Sequence, residues 1–172
     1  MPEQEDGLLW GFQLWVNLPA AQKMIAPRYQ DITPDAIPQT RPEHGVSIRV
    51  LAGRVGEVAG PVDGIAVEPL ALDVALEAGD GFDLPVPAGH AAFVYVFDGA
   101  LSLGADGVGV SCGELAVLDE GTQLPLTSES GGRGLVVAGR PLNEPVVRQG
   151  PFVMNTREEL MQAFADYRAG RL

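Results

Sequence analysis

Apolar residues recur at a period of two along most of this chain. In Val46–Ala52 (VSIRVLA), Val46, Ile48 and Val50 alternate with Ser47, Arg49 and Leu51, the pattern of a half-buried strand. Leu70–Leu76 (LALDVAL) repeats it with Asp73 on the outward side. Gly79–Gly99 reads as strand, turn, strand. Phe82 and Leu84 lead into a Pro-Val-Pro corner, Gly89 breaks the chain, and FVYVF resumes before Asp98-Gly99 turns it back. Further short strands are expected over 100–103, 108–110, 115–118 and 123–127. A polar turn over 128–133 then precedes a buried closing strand at 135–138. With 22 glycines and 14 prolines punctuating these runs, the chain is expected to be all-β, a small antiparallel jelly-roll barrel.

Two regions break the alternation. At the start, Leu8–Asn17 (LLWGFQLWVN) is predicted to be a strand ended by Pro19, with Trp10, Phe12, Leu14 and Val16 on one face. So much apolar area needs a partner. Residues 20–41 follow as an extended connector held out of helix by Pro27, Pro34 and Pro38. In it Arg28 is expected as a surface charge and Tyr29 against the barrel wall. At the other end, Asn155–Leu172 is predicted to be a helix. Thr156 and Glu159 have capping-box spacing, Leu160, Phe164 and Tyr167 share a face flanked by Met161 and Ala163, and Gly170 closes it. The organisation expected is therefore 1–42 as linker strand and connector, and 43–172 as barrel with C-terminal helix.

Charge narrows the function classes. Eleven Lys and Arg against 23 Asp and Glu give a net charge of −12, which disfavours binding to nucleic-acid phosphates or an anionic membrane surface. No apolar run approaches the roughly 20 residues of a membrane span, and the acidic start is unlike a signal peptide. The single cysteine, Cys112, can form no internal disulfide. It is expected as a small buried hydrophobe in a protein of the reducing cytoplasm.

Little catalytic chemistry is in view. Ser102, Ser111 and Ser128 lack the sharp elbow of a nucleophile. Asp80 with Asp83, and Asp119 with Glu120, read as turn carboxylates. Asp73 has no titratable neighbour in sequence. Of the two histidines, His44 is expected at the surface in a turn. His90, at the hairpin corner, is expected to bond a loop carbonyl, because one imidazole falls short of a ligand set.

The glycines framing 79–99 and 113–121 resemble the two motifs of the cupin superfamily, in which His-x-His, a Glu and a later His supply the metal ligands. Laid on this chain, those positions fall on Pro85, Pro87, Ala92 and Leu124, whose side chains have no lone pair to give a metal. Moreover GFQLWVNLPA, PRYQDI, AGHAAFVYVFDGAL and PLNEPVVRQGPFVMNTREEL resemble the pirin family of two-domain cupins over residues 8–171. The resemblance implies a metal-binding first barrel in longer relatives, then a linker strand and a metal-free second barrel. This chain corresponds to the last two, and is expected to be a C-terminal portion.

The expectation for function is a non-catalytic cupin domain with a structural or interaction role. It would carry no metal or cofactor and no catalytic residue of its own, the iron residing in the relatives' first barrel. Its partner would be a second copy or such a barrel, met through Trp10, Phe12, Leu14 and Val16. The alternative implied by the resemblance is part of an iron-dependent quercetin 2,3-dioxygenase, active only with the missing barrel. A small apolar ligand inside the barrel is a third reading.

Overall fold

The computed structural model describes residues 11–171, and they fall into two compact units. The larger, Ala26–Asn143, carries β1 (Gln39–Thr40), β2 (Val46–Ala52), β3 (Arg54–Val55), β4 (Val58–Ala59), β5 (Leu70–Leu76), β6 (Gly81–Pro85), β7 (Ala91–Leu103), β8 (Val108–Ser111), β9 (Leu115–Val117), β10 (Gln123–Thr127) and β11 (Gly132–Gly139). Its main sheet runs β1-β2-β5-β11-β7-β10-β6, with β8 and β9 also on β7. Every ladder between these strands is antiparallel. The sheet curls into the jelly-roll barrel expected from the alternation, because inward residues of all the long strands must leave water together.

The inward set of β2, β5, β7 and β11 fills the centre. Ile48, Val50, Leu72, Val74, Val94, Val96 and Val136 are fully buried. On the outward face of the same strands, Ser47, Arg49, Ala71, Asp73 and Val137 are only half covered. The closing strand expected at 135–138 is instead central. β11 lies between β5 and β7, which explains why Leu135 and Val136 are both buried.

β7 organises the barrel. Its first half pairs with β11 and β9, its second with β10 and β8. Asp98-Gly99 therefore does not reverse the chain; it bends one continuous strand. The ladder to β11 shifts register between Arg133 and Gly134, and Val96 and Phe97 are consecutively buried, the marks of a bulge that re-aims the strand. Gly99 sits at φ 61°, and a Cβ there would collide with the Gly131 carbonyl oxygen, so no other residue fits the corner.

The smaller unit joins residues 11–25 to 144–171. Residues 11–17 form no strand, contrary to the expectation for 8–17. None of the described strands pairs with this segment, and a strand forms only where a ladder partner takes up its backbone groups. Trp10 lies outside the described residues. Leu14, Trp15 and Val16 are exposed. A hairpin of β12 (Val147–Gln149) and β13 (Phe152–Met154) precedes helix α1 (Arg157–Arg168). The capping box is formed: the Thr156 hydroxyl accepts from the Glu159 amide, and the Glu159 carboxylate accepts from Thr156 N at 2.9 Å. Gly170 closes the helix at φ 67°. The buried stripe is Leu160 and Ala163, while Met161 and Tyr167 are largely exposed. Phe152 packs edge-on against Phe164 and Tyr167 at 4.9 and 5.8 Å.

Candidate functional site at the barrel mouth

Strand pleating decides which of the ligand-position residues face inward. On β6 the buried side chain is Leu84, and beyond its end Val86 follows on the same side; Pro85 and Pro87 are exposed. Leu84 pairs with Leu124 across to β10, and the Val86 amide donates to the Thr122 carbonyl at 3.0 Å. Ala92 and Leu124 are buried as placed. The two prolines at the motif positions therefore lie on the outer side of β6 and its continuation, because the pleat and not the count from Gly79 sets sidedness. The interior is lined at these positions by Val86, Ala92 and Leu124.

These residues open on a cavity of about 300 Å³ in the barrel mouth, whose walls include Val86, Ala92, Ala116, Leu118 and Leu124 and whose rim carries Asp119, Glu120 and Gln123. Small side chains at Ala92, Ala116, Gly104 and Gly121 leave this volume unfilled. The loop between β9 and β10 is held at both ends, by Leu118 N donating to the Ala92 carbonyl at 2.9 Å and by Thr122 O accepting from Val86 N.

His90 also borders the cavity, buried as the expectation of a loop contact requires. Its Nε2 lies 3.0 Å from the Glu68 carbonyl oxygen and its Nδ1 3.5 Å from that of Ala88, so the ring is set between two acceptors. The first of these is unusual. Glu68 adopts φ 48°, its amide donates to Ile65 O at 2.9 Å, and its carboxylate receives Arg140 Nη2 at 2.7 Å. Sequence reading missed Glu68 and Arg140, which lie 72 positions apart. A left-handed glutamate has no signature in composition.

The remaining candidates are structural. Asp73 is not alone on its face: Arg133 donates to it twice, at 2.7 and 2.5 Å, and Arg49 lies 4.0 Å away. These partners sit on neighbouring strands, invisible to a scan of adjacent residues. The Asp73 hydrogen bonds hold the Arg133 guanidinium above its ordinary pKa against partial desolvation, and Asp98 adds to the effect. Arg133 also stands 5.2 Å over the Phe97 ring. Cys112 is exposed rather than buried. It falls in the turn after β8, where alternation has ended, and its thiol meets the Phe97 carbonyl at 3.2 Å. Tyr29 likewise is 89% exposed, because the proline-rich connector offers it no apolar surface. Ser128 is buried with its hydroxyl donating to the Ala100 carbonyl at 2.7 Å. His44 is exposed, 3.5 Å from Asp80. Among the described residues no three His, Cys, Asp or Glu side chains converge as metal ligands.

The resemblance implies iron in the first barrel of longer relatives, and the inward positions of this barrel do not suit it. Valine, alanine and leucine supply no donor at the inward positions, and the one imidazole is engaged with a backbone carbonyl. The residues do not fit the metal.

Comparison with known proteins places this geometry in context. Residues 71–172 match the model of the Pirin C-terminal cupin domain. A Pseudomonas aeruginosa protein provisionally named a quercetin 2,3-dioxygenase is 45% identical over 100% of this chain and 62% of its own length. A pirin-like protein of Caulobacter vibrioides is 45% identical over 99% of this chain and 62% of its own. The crystal structure of a quercetin 2,3-dioxygenase from Acinetobacter baumannii superposes with a TM-score of 0.84 at 37% identity, covering 91% of this chain and 55% of that one. The chain spans about three fifths of the length of these curated relatives.

Proposed function

The chain belongs to the pirin family, and from that premise we propose that it is a non-catalytic cupin domain, a scaffold that shapes and joins rather than reacts. One observation carries the reading: where a metal-binding cupin turns ligands into its barrel, this one turns in Val86, Ala92 and Leu124. Dioxygen chemistry on a flavonol needs a metal with open positions, and these side chains give it no seat. Its association surface is the apolar segment carrying Leu14 and Val16, which would meet a second copy in solution. Protein purified from iron-supplemented medium is expected to hold far less than one metal per chain and to leave quercetin unconsumed. Stoichiometric iron bound within residues 79–124 would overturn the proposal.

A second reading has its own support in the names of the relatives. The chain would then be the metal-free part of a quercetin 2,3-dioxygenase whose chemistry resides in the portion of the relatives it does not span. Adding a separately produced iron-loaded portion of such a relative distinguishes the two. Quercetin turnover that rises with this chain favours the second; turnover indifferent to it favours the first.

A further inference from the structure

We propose that the mouth of the barrel is a binding site for a small monocyclic amine, an apolar body carrying one cationic head. Its body is recognised by shape. A barrel of this size ordinarily fills its interior with side chains, yet here about 300 Å³ stays open beside Ala92 and Ala116. That volume lies at the lower end of the range for small-molecule sites. The walls at Val86, Leu118 and Leu124 offer water few partners, so an apolar ring replaces it favourably.

The head group is chosen by the rim. Asp119 and Glu120 stand at the opening and no Lys or Arg lines it, so a carboxylate or phosphate ligand would meet only like charge. The chain's net charge of −12 acts in the same sense, drawing cations toward the protein and repelling anions. Gln123 adds an amide oxygen at the same edge. His90 borders the cavity with both ring nitrogens turned to backbone carbonyls, Nε2 3.0 Å from Glu68 O and Nδ1 3.5 Å from Ala88 O. The site is independent of the reading above: it requires neither catalysis nor its absence.

The test uses the whole chain and three probes that share one body: phenethylamine, 2-phenylethanol and phenylacetate. Calorimetric or ligand-observed NMR titration is expected to show saturable binding of the amine at one per chain, with phenylacetate at least tenfold weaker. The Ala92 and Ala116 methyl resonances should shift during the amine titration. Ala116→Phe, which fills the cavity, should abolish binding while the melting curve stays in place. The paired change Asp119→Asn with Glu120→Gln, on an exposed loop, should weaken the amine about tenfold and leave 2-phenylethanol unchanged. Equal affinity for amine and anion, methyl shifts elsewhere in the chain, or an unaffected amine after the loop change would each overturn the proposal.

Discussion

The centre of the barrel and its mouth are built by the same strands yet end in opposite states. At the centre, Leu72, Val94 and Val136 meet from three adjacent strands and exclude all solvent. At the mouth, the same inward alternation delivers the short side chains of Ala92 and Ala116 on adjacent strands, and a cavity remains. Alternation therefore decides which residues face in. Side-chain volume at each level of the barrel decides whether they touch.

Truncation at the centre should have the largest effect. Leu72→Ala is expected to cost about 2–5 kcal/mol, a buried leucine lost plus the cavity left behind, measured by urea unfolding. Enlargement separates the two levels directly. Val136→Phe, in the closed layer, should lose about 1–3 kcal/mol to overpacking, whereas Ala116→Phe at the mouth should stay within about 0.5 kcal/mol of the parent. Equal losses would mean that the mouth is as tightly packed as the centre. Outside the barrel, Thr156→Ala removes the cap of α1 and should cost about 1 kcal/mol, with a matching drop in the smaller unit's amide protection.

The smallest effect is one of pH. Arg171, and after it Gln162, hydrogen-bond Asp166 and hold its carboxyl below the usual carboxylate range. A carboxyl depressed on folding binds protons more readily when unfolded, so its stabilisation is full above the ordinary value of about 3.9 and fades as pH falls through the lowered one. NMR titration should find Asp166 below the ordinary aspartate value, and Arg171→Ala should raise it toward that value. An unmoved titration would remove that ion pair from the account.

Much of this was legible in the chain. The strands at 46–52 and 70–76, the capping box at Thr156 and Glu159, and the closing glycine at 170 depend on neighbours within one or two turns or on strict alternation. Other features were not. Asp98-Gly99 looked like a hairpin turn because a glycine corner and a glycine bulge share one dipeptide; only the register against β11 separates them. The outward side of Pro85 and Pro87 and the exposure of Cys112 likewise depend on where each strand's pleat begins and ends.

What the sequence determined by itself was the alternation of the long strands and the capping and closing residues of α1, since both are properties of residue type and local period. The tertiary structure decided which strand became central, that Arg133 and Arg49 flank Asp73, that Glu68 receives His90, and that a cavity stands open above a filled core. Each of these depends on residues brought together from distant strands, and sidedness and distance across a curled sheet are set only when every strand has taken its register.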